Sequence, residues 1–290
     1  MANIKELKKR IKSTKSTLKI TSAMKLVSAA KLSKAQAKIQ GFKPYSNELD
    51  NTVRIAAALA QDYSHNYLEA KDNTKTAVLV ISSNKGLCGG YNSQLYKEVK
   101  RYMSNNQDNE FEFYYIGRKV KELLKRDGIL ETKTFEFEKA DPEFSEVKKL
   151  ATELSEKFLA DEIGRVVIAF NSFVSAIEFN PTVKEILPLT MSEEDKETLA
   201  QEFPVEFLYE PSAESILDSL IPEVFNTTIF TSVLDAIAAE HGSRMTAMDN
   251  ATNNSKDMIR NLTLTANKLR QAAITTELTE IVSGAESLNS

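Results

Sequence analysis

Lys268-Leu-Arg-Gln-Ala-Ala-Ile-Thr-Thr-Glu-Leu-Thr-Glu-Ile-Val-Ser-Gly284 closes a run from Pro222 to Glu286 that has no internal proline and, before Gly284, a single glycine, Gly242. An average globular helix has about 11–12 residues, so a helix-compatible run of this length is unusual. At 1.5 Å per residue it would span on the order of 95 Å, more than a compact domain of this size can cover. The reading predicts that something outside the chain covers part of it. Leu234, Ile237, Met245, Met248, Ile259, Leu262, Ala266, Leu269 and Ala273 supply its apolar seam.

The other end of the chain answers it. Residues 3–40 hold neither Gly nor Pro, and Ile4, Leu7, Ile11 and Leu18 fall on an a/d seam whose remaining places are Thr14 and Thr21. Ile20, Met24, Val27 and the small residues Ala23, Ala29 and Ala30 are expected to continue the apolar stripe. Gly41-Phe-Lys-Pro44 predicts a kink or brief break, after which helical spacing resumes to about Tyr63. Residues 1–40 carry eleven Lys/Arg and one acid, Glu6, a net of +10 in a chain whose total is −4. Residues 213–286 carry ten acids and five bases, so the two ends are expected to attract each other.

Such asymmetry calls for a partner. A solvated face, nucleic acid, an anionic membrane and an acidic protein surface are the candidates. Residues 1–40 lack the aromatics that stack on bases and the Trp or Phe that a membrane-surface helix presents. A thin seam of Ile, Leu, Thr and Ala suits a partner helix, and the segment reads as one strand of a coiled coil.

Between the two helices the pattern changes. Residues 64–75 are polar and read as a linker. Ala77-Val-Leu-Val-Ile81, Phe111–Ile116 and Gly164–Phe170 are buried-strand runs; residues 132–137 form a weaker one. Helical stretches follow them at 94–103, 118–126 and 144–159. Alternation of this kind implies an open, mainly parallel sheet. Phe173–Phe179 and Thr182–Pro188 predict an edge hairpin turning at Asn180-Pro181. Residues 191–204 are acidic and irregular, Val205–Pro211 reads as a last strand, and Ser212 as the N-cap of the final helix. Pro222 either kinks that helix or starts a new one. The expected architecture is α/β: an N-terminal coiled-coil helix over 1–63, a central Rossmann-like domain over 76–210 and a C-terminal coiled-coil helix over 212–290.

Composition excludes several classes. Charged residues are 27% and hydrophobic ones 42% of the 290, an ordinary globular balance. No unbroken run of ~18 apolar residues predicts a membrane span, and the N-terminus has no secretion-signal core, so a cytoplasmic location is expected. The single cysteine, Cys88, permits no internal disulfide and fits a reducing compartment. Gly86-Leu-Cys-Gly-Gly90 lacks the Gly-Lys-Ser/Thr of a phosphate loop and the spacing of a dinucleotide fingerprint; it reads as a tight strand-to-helix turn. His65 and His241 are the only histidines and suggest no triad. Cys88 reads as a structural thiol, and nothing has metal-ligand spacing. No cofactor and no bond chemistry are expected.

Three stretches carry a family resemblance: Ile11-Lys-Ser-Thr-Lys through Ile20-Thr-Ser-Ala-Met-Lys-Leu-Val-Ser-Ala-Ala-Lys-Leu32, Gly86-Leu-Cys-Gly-Gly-Tyr-Asn92, and Arg270 to Gly284. In order and over the whole length the chain resembles the gamma subunit of bacterial F-type, proton-translocating ATP synthases. The resemblance implies an antiparallel, left-handed coiled coil of the two terminal helices entering a ring of three alpha and three beta subunits. It implies a Rossmann-like domain below, held by the epsilon subunit and the c-subunit ring. Torque then passes through the shaft to catalytic sites on other chains, at the cytoplasmic face of the bacterial inner membrane, with no membrane span and no nucleic acid.

Residue by residue, the resemblance places Arg270, Gln271 and Thr275 against a beta catch loop, and Met24, Lys25 and Cys88 near an acidic beta lever. It places Phe207, Tyr209 and Glu210 at the c-ring and epsilon contact. Ser33 stands where that family commonly has a basic residue, and the regulatory cysteine insertion of chloroplast members is absent. The alternative readings from other classes are an α/β enzyme with a coiled-coil oligomerisation arm, and a nucleic-acid binder using residues 1–40.

Overall fold

A computed structural model describes residues 2–60, 63–138, 141–190, 198–199, 209–210 and 212–289. Their order is α1 (Ala2–Leu59), β1 (Lys75–Ile81), α2 (Tyr91–Asn105), β2 (Glu110–Ile116), α3 (Lys119–Arg126), β3 (Lys133–Phe135), α4 (Phe144–Leu159), β4 (Arg165–Phe173), β5 (Phe179–Leu187) and α5 (Ala213–Asn289). The chain divides into two compact units, Met1–Ser28 with Arg244–Ser290, and Ala29–Ser243. Both boundaries fall inside α1 and α5, so each long helix contributes to both units. The strand expected at Val205–Pro211 and the acidic stretch 191–204 lie, apart from 198–199 and 209–210, outside the described residues.

In the larger unit the strands form one sheet of order β3-β2-β1-β4-β5. β1 pairs in parallel with β2 and β4, β2 pairs in parallel with β3, and β5 is antiparallel to β4. Side chains alternate across a strand, so Val78 and Val80 of β1 join Phe113 and Tyr115 of β2 on one face. There they pack against Leu95 and Val99 of α2 and Val120 and Leu124 of α3.

The hairpin turns earlier than the sequence predicts. Val174 and Ser175 both donate backbone N–H groups to Glu178, so residues 174–178 make the turn. Asn180 pairs with Ser172, and Pro181 with Asn171, inside the ladder. A proline lacks the N–H a central strand needs, but β5 is the outermost strand among the described residues, and an edge strand tolerates one.

The polar stretch 64–75 is also more than a linker. Tyr67 is buried, its ring edge-on to Phe158 of α4 and Phe225 of α5 at centroid distances of 6.3 and 6.0 Å.

Along α1, protected side chains recur at every third or fourth residue: Ile4, Leu7, Ile11, Thr14, Leu18, Thr21, Lys25, Ser28, then Leu32, Ala35, Ile39, Phe42, Ser46, Leu49, Val53 and Ala56. This 3.5-residue period is the coiled-coil period. It overturns part of the expected stripe, because Ile20 and Val27 are 60% and 57% exposed. The heptad passes through Thr21, Lys25 and Ser28 instead, and apolar character does not outweigh register.

Neither proline breaks its helix. Pro44 lies inside α1 and Pro222 inside α5. An interior proline costs about 3 kcal/mol or more, while a fully buried Leu, Ile or Phe returns about 1.5–3 kcal/mol. Beside Pro44, the Phe42 ring packs on Phe230 at 4.8 Å and on Phe144 at 5.9 Å. Around Pro222, Leu217, Ile221, Val224 and Phe225 are all buried. Several such side chains outweigh one missing hydrogen bond.

One 18-residue window of α5 reaches a mean hydropathy of 1.2, enough by composition to cross a membrane, but 67% of it is buried inside the protein. It is a core helix.

Candidate functional site

The first candidate surface is the C-terminal part of α5. In the smaller unit α1 and α5 run antiparallel: the Thr14 hydroxyl lies 3.7 Å from Met258 Sδ, Thr252 Oγ1 is 2.9 Å from Thr21 Oγ1, and Lys25 Nζ is 2.6 Å from Asp249 Oδ1. Rising numbers on one helix meet falling numbers on the other. Continued along both helices, this register brings Ile4 beside Leu269.

α1 then ends while α5 continues. The α5 seam of Met245, Met248, Thr252, Ser255, Ile259, Leu262, Ala266, Leu269 and Ala273 stops there, and residues 274–285 are exposed. Ile274, Leu278, Ile281 and Val282 are 49%, 58%, 67% and 59% exposed. At ~100° per residue they share one arc of roughly 140° with Arg270, Gln271 and Thr275, turned away from the seam. Arg270 has no ion pair among the described residues, and Thr275 turns its hydroxyl back to the Gln271 carbonyl at 3.0 Å. The three residues read from sequence are thus brought together, beside an apolar row that the sequence reading did not single out. Its signal was available: the heptad places after Ala273 are Thr276 and Glu280, so Ile274, Leu278, Ile281 and Val282 fall off the seam.

The second surface is on α1. Met24 is half-buried. Lys25 is engaged with Asp249, both side chains being about two-fifths exposed, so its ammonium serves the coiled coil as well as solvent. Leu26 and Val27 beside it are 68% and 57% exposed. The expected charge attraction between the chain ends reduces, in this unit, to that one pair among the described residues. Lys5, Lys8, Lys9, Arg10, Lys12, Lys15 and Lys19 are exposed and make no ion pair there. Apolar register pairs the helices, and the basic face stays turned to solvent.

The third surface is the turn after β1. Cys88 is 2% exposed; Asn92 donates to its Sγ at 3.1 Å, and Ser243 Oγ donates to its carbonyl at 2.6 Å. Asn92 Oδ1 accepts from the Ser83 backbone and hydroxyl at 3.2 and 3.0 Å, and Tyr91 sends its hydroxyl to the Ala236 carbonyl at 3.0 Å. The turn spends its polar groups on packing. The Cys88 thiol faces inward, and the residue the turn displays is Leu87, 64% exposed and held at φ 62°. A non-glycine residue in that region is strained.

Of the remaining candidates, Tyr209 is half-buried and Glu210 exposed, just before Ser212, whose Oγ caps α5 by accepting from Ser215 N at 3.3 Å. Phe207 lies outside the described residues.

Two polar features complete the larger unit. Asp235 of α5 is buried, with Lys43 Nζ and Ser172 Oγ each 3.4 Å from Oδ2. Burial pushes its carboxyl up, against the opposing pull of those two partners. Burial also acts to raise Asp141, but hydrogen bonds from Lys38 and Lys34 outweigh it and hold that carboxyl below the usual range. A cavity of about 440 Å³ opens at the carboxyl ends of β1 to β3, lined by Ser82, Gly117, Arg118, Glu136 and Glu240 among others. Among the described residues no three His, Cys, Asp or Glu side chains converge as a metal site.

The chain matches the family model described as ATP synthase over residues 3–288. It is 40% identical over 290 residues to the ATP synthase gamma chain of Trichlorobacter lovleyi, covering 99% of each. It is 39% identical over 293 residues to that of Lachnoclostridium phytofermentans, covering 100% of each. Its fold is similar to a chain in the Euglena gracilis mitochondrial ATP synthase OSCP/F1/c-ring structure, at TM-score 0.67 and 17% identity, over 99% of this chain and 95% of that one. A chain of the Tetrahymena thermophila mitochondrial ATP synthase central stalk and c-ring gives TM-score 0.59 at 23% identity, over 80% and 99%.

Proposed function

This chain belongs to the ATP synthase gamma-chain family, and on that basis we propose that it is the rotor shaft in the central stalk of a bacterial F-type ATP synthase, a subunit without bond chemistry of its own. Residues 1–63 and 212–290 make the shaft, and residues 76–210 the domain that takes up rotation from the c-subunit ring together with epsilon. Rotation driven by proton flow then presents different faces of α1 and α5 in turn to the catalytic sites of three alpha and three beta subunits. The assembly sits at the cytoplasmic face of the inner membrane, which this chain meets only through the ring.

The observation that carries the reading is the end of α5. A lone helix that shows Ile274, Leu278, Ile281 and Val282 to water leaves apolar area uncovered at about 25 cal/mol per Å². A sleeve of other subunits covers it. Because the row lies on one face with Arg270, Gln271 and Thr275, contact with a beta loop depends on the angle of the shaft. Torque requires that asymmetry.

On α1, Met24, Lys25 and the exposed Leu26 and Val27 face the beta lever. The basic residues Lys5 to Lys19 favour an acidic ring lining, and such complementarity sets orientation more than affinity. At the Cys88 turn the contact is made by Leu87, since the thiol is buried. The contact with the c ring and epsilon falls to Phe207, Tyr209 and Glu210.

Reconstitution with alpha and beta subunits tests this. One copy of the chain should join a hexamer and raise sustained ATP hydrolysis, and truncation from Lys268 should weaken both binding and torque. A hexamer that excludes the chain, or that turns over equally well without it, would overturn the reading.

A further inference from the structure

The segment that joins α1 to β1 is strapped down by a histidine used as a hydrogen-bond acceptor. The Tyr67 backbone N–H donates to His65 Nδ1 at 3.1 Å, and the Leu68 N–H donates to the His65 carbonyl at 2.8 Å. That tight turn aims Tyr67 inward between Phe158 and Phe225. Its carbonyl in turn receives the Leu189 N–H at 2.7 Å, just past the end of β5. One hydrogen bond to a side chain thus sets a buried aromatic that packs against both α4 and α5.

We propose that His65 is a proton-sensitive latch: neutral, it holds the turn closed, and protonation at Nδ1 releases Tyr67 and loosens the strap between α1 and β1. The chemistry is a matter of lone pairs. A neutral imidazole whose Nδ1 accepts carries its hydrogen on Nε2, while the imidazolium has two donors and no acceptor. A proton taken from water by Nδ1 therefore sets N–H against N–H at the place where the turn is closed.

The surroundings bear on the ring in opposite directions. Burial lowers its proton affinity most, while Asp218 on α5 and Glu69 on the strap act to raise it, with the net direction downward. Tyr63 stacks on the ring at 6.4 Å and holds Asp218 through its hydroxyl at 2.7 Å. Thr190 beyond β5 and Ala57 of α1 border the same hollow and bring no charge. α4 reaches the ring through Tyr67, on which Glu156 acts. A histidine held below its unfolded proton affinity contributes stability at pH above about 6.5, and loses it as pH falls through the folded value. The latch opens on acidification. The inference stands independently of the rotor assignment.

The test is hydrogen exchange on the full-length chain at pH 7.5 and 5.5, with labelling times corrected for the intrinsic pH dependence of exchange, in wild type and His65→Asn. Asparagine keeps an acceptor for the N–H two residues on and does not titrate. Wild type should lose protection at residues 63–69 on acidification, by up to roughly tenfold, the ceiling for a group whose unfolded pKa lies about one unit above the lower pH. His65→Asn should stay flat. Equal loss in both proteins, or none in wild type, would overturn the proposal. If His65→Asn does not fold, the ring nitrogens of wild type decide by 15N NMR, simply assigned with two histidines in the chain. Nδ1 bare and Nε2 protonated at pH 7.5 supports the latch, and the opposite tautomer refutes it.

Discussion

Residues 213–243 and 244–289 of α5 belong to one unbroken helix but to two units, and they are packed in opposite ways. In the first segment Leu217, Ile221, Val224, Phe225, Ile229, Phe230, Val233, Leu234, Ala236, Ala238 and Ala239 are buried, so apolar side chains are covered on most sides. In the second, protection narrows to a seam, two of whose central places are the polar Thr252 and Ser255, and it ends at Ala273. A helix buried all round belongs to a core, and one with a thin a/d stripe to a coiled coil. The first segment is held by its own chain. The second is only partly held, and its free faces are available to partners.

Substitutions along α5 sharpen that contrast. The largest loss is expected from Phe225→Ala in the core segment, about 3–5 kcal/mol for a buried phenylalanine, read by urea unfolding followed by circular dichroism. A loss below about 1 kcal/mol would mean that the site collapses around the gap and that the segment is less core-like than its burial indicates.

Next comes Asp235→Asn. Because burial raises the folded carboxyl above its unfolded value, the fold favours the protonated acid. That contribution is present below about pH 3.8 and is lost as pH rises through the folded value. The substitution should therefore flatten the fall in stability that begins as pH rises above about 3.8. An unchanged pH profile would break the assignment.

In the thin segment Thr252→Val removes one partner of the Thr21 hydroxyl. It should cost about 1 kcal/mol, and Thr21→Val with Thr252→Val together should recover most of it, because replacing both partners is nearly neutral. Additive losses would show that the two hydroxyls do not act as a pair.

Smallest in stability is Leu278→Gln, expected within about 0.5 kcal/mol for an exposed site. Its effect should instead appear in reconstituted complexes, as weaker retention of the chain by the alpha–beta hexamer. A fall in the stability of the isolated chain would place Leu278 in a contact of its own and undo the comparison.

Much of this was legible from residue spacing. Ile4, Leu7, Ile11 and Leu18 announced the heptad, Val78 and Val80 the buried strand, and Ser212 the cap. Arg270, Gln271 and Thr275 were found by resemblance, and spacing confirms only that they share a helix face. Tyr67 and His65 were not legible, because a turn closed by a side-chain lone pair leaves no period in the sequence. Leu87 was overshadowed by its neighbour, since a sequence cannot say which of two adjacent apolar residues faces inward.

The sequence by itself determined the periods: 3.5 along α1 and the distal α5, short β-branched runs between them, and a basic excess at one end. Spacing alone suffices there, because each period places side chains on one face whatever the rest of the chain does. Tertiary structure decided what those periods leave open. It carried α1 past Pro44 and α5 past Pro222, since buried aromatic and aliphatic packing outweighs one lost hydrogen bond. It moved the hairpin turn to 174–178, since β5, outermost among the described strands, tolerates Pro181. It turned Ile20 and Val27 outward in favour of Thr21, Lys25 and Ser28, because two helices in register can bury only the residues that lie between them.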